Sequence, residues 1–142
     1  MIIIVPYVLY VATAAFAFAL GGTVLYGRKR RRLPIGASAM VGTEAIAQHR
    51  RSALILALLS TALLVVVPLC IEPFLLKHVS RTILLPHVGL VVSFTALAWV
   101  LYGMLTGLRS RVAHRWLGWL SFACGVSVIA TGVWMHVAIF GW

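Results

Sequence analysis

The chain has 142 residues, 63% of them hydrophobic and only 10% charged, and its Lys and Arg outnumber its Asp and Glu by 12 to 2. Soluble domains run near 45–50% apolar and about 25% charged, so this composition has almost nothing with which to cover a water-facing surface. A water-soluble enzyme or DNA-binding domain is nearly excluded.

Four runs lack any Asp, Glu, Lys or Arg: Met1–Gly27, Ser52–Ile71, Thr82–Leu108 and Trp116–Trp142. Each reaches the roughly 20 apolar residues that cross a 30 Å hydrocarbon core. Lipid offers no partner to an open backbone, so a helix is the fold for each run. The expectation is an all-α integral membrane four-helix bundle, one domain over 1–142, with spans at about 5–27, 52–75, 83–108 and 116–140.

Residues 1–27 could also be read as a signal peptide, but the charge follows the apolar run instead of preceding it, and the run is too long. The first loop is the longest. Its Leu33–Val41 stretch, with Pro34, Gly36 and Ser38, reads as irregular chain, followed by a short helix capped by Thr43 that leads into helix 2. Pro68 should kink helix 2 and Pro73, just after Glu72, should stop it. Helix 3 either starts near Thr82 and kinks at Pro86, or starts at Pro86 as a first-turn residue. About seven residues join helices 3 and 4, which makes them antiparallel neighbours. Cys70 and Cys124 fall at different depths and are poorly placed to bridge.

The cations set the orientation. Loop one carries Arg28, Lys29, Arg30, Arg31, Arg32, Arg50 and Arg51, loop three carries Arg109, Arg111 and Arg115, and loop two has only Lys77 and Arg81. Loops one and three therefore face the cytoplasm of a prokaryotic-type membrane and both termini face outside. The Arg28–Arg32 cluster adjoins a span, where topology and attraction to anionic lipid explain it without nucleic acid. Trp99, Trp116, Trp119, Trp134, Trp142 and the tyrosines fall mostly toward span ends, as interfacial aromatic belts do.

In helix 4, Gly118, Gly125 and Gly132 recur every seven residues beside Ser121 and so share one face. That face suits either close helix packing or a flat cofactor lying in the groove. Gly103 and Gly107 of helix 3 read as packing alone.

Five histidines among only two acids are the unusual feature, because ionisable groups at membrane depth are costly and point to function. Counted from the turn between helices 3 and 4, His87 lies 21 residues from Leu108 and His136 lies 20 from Trp116. The two sit at similar depth on neighbouring helices and could ligate one haem iron axially. His136 is four residues beyond Gly132 and continues its face, while His87 shares an apolar wall with Val91, Phe94 and Ala98 that suits a neutral, ligating imidazole. Hydrogen bonding to a backbone carbonyl is the plainer reading of both.

His49 before Arg50 and His114 before Arg115 fall at the opposite interface, where they either meet lipid head groups or form a second bis-His site with arginines for haem propionates. His114 and His136 are 22 residues apart, or about 33 Å, too far for direct electron transfer between two haems. His78, between Lys77 and Arg81, reads as solvated. Glu72, near the depth of His87 and His136, either pairs with Lys77 or Arg81 or serves as a proton-handling group or copper ligand.

His49-Arg50-Arg51, His87 early in helix 3, Tyr102 late in it, His114-Arg115 with Trp116, and Thr131-Gly132 in the closing stretch together resemble the small CtaM-like four-helix membrane proteins over about residues 45–140. The resemblance implies a role in maturation of haem–copper oxidases, with histidines that handle haem or metal. The pattern departs at Pro86 before His87, in a compressed stretch between helices 2 and 3, in a proline and tryptophan missing from helix 4, and at His136, which stands where the family has a tyrosine.

The residues themselves favour an electron-transfer protein binding haem b through His87 and His136, with His49, His114, Gly125 and Gly132 as further cofactor contacts, in a membrane complex of the respiratory chain. An assembly factor holding haem or copper, and a structural subunit without cofactor, are the other readings. No nucleophile, acid/base pair or open metal site suggests catalysis.

Overall fold

The computed structural model describes residues 4–31, 39–78, 80–107 and 111–140; within them, side chains at several helix ends are not described. These residues form four helices, α1 (Ile4–Arg31), α2 (Ala39–His78), α3 (Arg81–Gly107) and α4 (Arg111–Phe140). All four contain a stretch long and apolar enough to cross a membrane: Tyr10–Arg28, Thr43–Val67, Arg81–Leu105 and Val112–Ala138. Their outer surface is apolar as well, with Phe18, Leu69, Trp116 and Val11 among the large side chains left exposed. A face of this kind is stable against lipid and not against water.

Each helix packs on its chain neighbour, and α1 against α4 closes the ring. Contacts give the register. Tyr10 meets His136 and Leu20 meets Gly125 between α1 and α4, while His87 meets Gly132 and Phe94 meets Gly125 between α3 and α4. Both pairs of helices are therefore antiparallel. The start of α1, the end of α2, the start of α3 and the end of α4 share one end of the bundle.

The middle of the bundle is a plug formed by Phe16, Leu20, Leu56, Ala57, Phe94 and Ala98. Phe16 and Phe94 meet edge-on with ring centres 4.9 Å apart, the arrangement that aromatic quadrupoles favour. Two buried hydroxyls are satisfied within their own helices, Ser60 donating to the Ala57 carbonyl and Thr95 to that of Val91. Helices are tied together by Trp99 Nε1, which donates to Thr61 Oγ1 at 2.9 Å, by the Cys124 thiol, which donates to the Leu90 carbonyl at 3.4 Å, and by a bond between His87 and Thr131.

Helix 2 differs from the sequence expectation. It runs unbroken over 40 residues, about 60 Å, so Thr43 lies inside it and neither Pro68 nor Pro73 ends it. A proline removes one backbone donor, and in a setting without water the helix continues because every following residue still needs its internal bond. Loop two is accordingly short, and His78 is the last residue of α2. Helix 3 begins before Pro86, at Arg81. Ser80 caps it: its carbonyl accepts from the Ile83 and Leu84 amides, and its Oγ accepts from the Thr82 amide at 3.4 Å. The link from Gly107 to Arg111 is shorter than expected. The expected irregular stretch lies mostly at residues 32–38, outside the described residues, and Ala39–Val41 are helical.

Candidate cofactor site

At the end of the bundle away from the basic loops, the four helices part around a cavity of ≈ 530 Å³. That volume lies within the roughly 300–1,000 Å³ of small-molecule and cofactor pockets. All four helices line it, so the site expected between helices 3 and 4 is set among four. Its wall is aliphatic and aromatic apart from Tyr10, Thr13, Ser60, His87 and His136. Phe94 and Phe16 form its floor and separate it from the other half of the molecule.

His87 is held firmly. Its Nδ1 lies 2.7 Å from Thr131 Oγ1 across the α3–α4 interface, and Thr131 Oγ1 lies 2.7 Å from the Ser127 carbonyl as well. A hydroxyl has one proton. Given to the Ser127 carbonyl, it leaves Thr131 to accept from His87 Nδ1–H and Nε2 with the lone pair, the tautomer of a metal-ligating imidazole; given to His87 Nδ1, it puts the ring hydrogen on Nε2.

The ring packs beside Gly132, where a Cβ would stand at an ordinary contact distance of 3.5 Å from His87 Cε1. His136 follows one turn later on α4, about 6 Å further along the axis, with its ring centre 6.2 Å from that of Tyr10. The two histidines expected at equal depth on neighbouring helices thus share one cavity.

The seven-residue glycine spacing has a structural counterpart in α3. His87 and Phe94, also seven apart, rest on Gly132 and Gly125. At Gly125 a Cβ would be 2.8 Å from Leu20 Cδ2 and 2.9 Å from Phe94 Cε2, so its space is taken by side chains of the plug. Gly118 has nothing within 4 Å of its Cβ position.

The other histidine pair also comes together, at the basic end. His49 of α2 and His114 of α4 have ring centres 6.3 Å apart at an interplanar angle of 86°, and the Nδ1 of each is shielded from solvent. His49 lies over Gly27 of α1, whose Cβ position is 3.2 Å from His49 Cε1. The side chains of Glu72, His78 and Cys70 lie outside the described residues. Among the described residues no group of three or more His, Cys, Asp or Glu gathers.

Sequence reasoning passed over Tyr10, Thr13 and Ser60 as cavity residues, and did not see Thr131 as the partner of His87. Only Thr131 left a signal, since it directly precedes the glycine of the packing face and lies five residues before His136. Comparison with protein families, with curated proteins and with solved structures finds no match to the chain.

Proposed function

We propose that this protein binds one b-type haem in the four-helix cavity, where His87 and His136 would hold the iron, and carries electrons as a small subunit or partner of a respiratory membrane complex. The observation that carries this reading is the pairing of two histidines on one apolar cavity, one of them held at Nδ1 by Thr131.

When bound, haem supplies a one-electron redox couple whose potential follows its ligands and the polarity around it. The chain's part is to fix the ligands and exclude water. Thr131 holds the His87 ring and the aliphatic wall supplies a low dielectric. Arg81, six residues before His87 in the first turn of α3, is the described cation nearest this end for the propionates of the group.

With loops one and three in the cytoplasm by their cation excess, the cavity lies in the outer half of the membrane. The family resemblance offers an assembly factor for haem–copper oxidases as the second use of the same pocket, with haem or copper held in transit. Purified protein separates the two. A stable low-spin b-haem spectrum at one haem per chain supports electron transfer, and haem-free protein carrying copper at His87 and His136 supports assembly.

A further inference from the structure

The cavity has the depth of one lipid leaflet. Its α3 wall runs from Leu84 to Phe94, ten residues or about 15 Å along the helix axis, and half of a 30 Å hydrocarbon core is also about 15 Å. The floor lies at mid-span. Phe94 is thirteen residues from Arg81 and eleven from Leu105, the ends of the apolar stretch of α3. On α4 every lining residue, from Val128 to His136, falls in one half of the stretch Val112–Ala138.

This slot opens onto the lipid-facing surface. Four of its lining residues are exposed, Tyr10, Ala14, Val88 and Val133, and three of them stand at the α1–α4 seam. Tyr10 and Ala14 are one turn apart on α1, and Tyr10 meets His136 of α4. Val133 leaves α4 on the side opposite Cys124 and Thr131, which bond to α3. Along this seam α1 packs less closely than it does on α2.

The lining selects what fills the slot. An empty void forfeits the dispersion contacts of its wall, and a water held inside needs about two to four polar partners. Few are on offer, since Ser60 already donates to the Ala57 carbonyl and His87 is bonded to Thr131. A hydrocarbon chain needs none.

We infer that, when haem is absent, the cavity holds one acyl chain of a phospholipid from the leaflet away from the basic loops. The chain enters sideways between α1 and α4 and rests its methyl end on the Phe16–Phe94 floor. This site stands whether or not the cavity also takes haem, which would displace the chain. Full-length protein in vesicles without added haem tests it, with a phospholipid that carries a photoactivatable diazirine at the end of one acyl chain. After irradiation, mass spectrometry should find adducts on Leu63 and Val91 of the wall at a yield comparable to that on Leu58, which is 52% exposed on the outer surface. Ala57, fully buried in the plug, should carry none. Ala14→Phe and Val133→Phe narrow the mouth from opposite sides, so each should lower the Leu63 and Val91 adducts about fivefold or more. The Leu58 adduct and the helicity by circular dichroism should stay as in wild type. Leu63 and Val91 labelled no more than Ala57, or labelled equally with the mouth narrowed, overturn the inference. Haem added to the same vesicles reads the other claim: it should strip the wall adducts, and adducts that it leaves in place count against haem binding while the chain site stands.

Discussion

His87 Nδ1 and Thr131 Oγ1 lie 2.7 Å apart across the α3–α4 interface, and Thr131 Oγ1 lies 2.7 Å from the Ser127 carbonyl as well. A threonine of α4 thereby engages one nitrogen of an α3 histidine and leaves Nε2 as the other. Outer partners of this kind typically change metal affinity or activity by about 10–100-fold when removed. Thr131→Val keeps the volume and removes the hydroxyl, so haem retention should fall by about that factor and the midpoint potential should move. Thr131→Ser restores the hydroxyl and should restore both. Haem content and a redox titration check this, and equal behaviour of the two variants would show that the hydroxyl has no part in ligation.

The glycines of α4 should differ in what they tolerate. At Gly125 an added methyl would press on Leu20 and Phe94 at 2.8 and 2.9 Å, and overpacking of this kind costs about 1–3 kcal/mol. Thermal unfolding in detergent should therefore fall by several degrees for Gly125→Ala. Gly118→Ala meets open space and should leave the midpoint unchanged. Gly132→Ala makes an ordinary contact with His87 at 3.5 Å and should leave the fold intact.

Between α2 and α3, Trp99 Nε1 donates to Thr61 Oγ1. Hydrogen bonds between membrane helices average about 0.6 kcal/mol. Trp99→Phe should lower stability by about that amount in a denaturation titration, much less than Gly125→Ala, and a larger loss would mean that the indole contributes mainly through packing.

Much of the architecture was written in composition and spacing. Charge-free runs gave the number of helices, and counting residues from the helix 3–helix 4 turn put His87 and His136 within about a turn of one another, on the cavity they share. Extent was less legible. Proline chemistry predicts a stop at Pro73, yet α2 goes on to His78, because the local rule does not include the demand that membrane backbone stay bonded. The glycine repeat marked a face, but which neighbour fills it depends on α3 and α1 side chains that no periodicity within α4 encodes. Long-range partners such as Thr131 with His87 and Gly27 with His49 are set by helix register, which the sequence of one helix does not carry.

The cation count, with ten of the twelve Lys and Arg in loops one and three, predicts that those loops face the cytoplasm. Alkaline phosphatase fused after Ser38 should be inactive, and fused after Ser80 it should be active, because the enzyme folds only outside the cytoplasm. The reverse pattern would move the cavity to the cytoplasmic half.

Reduced-minus-oxidised absorption spectroscopy of the purified protein addresses the central claim directly, run on wild type beside His87→Ala, His136→Ala and His49→Ala. Low-spin b-haem bands at one haem per chain in wild type, lost in the first two variants and retained in the third, are the predicted result. Wild-type protein without those bands, or bands that survive both His87→Ala and His136→Ala, would contradict it.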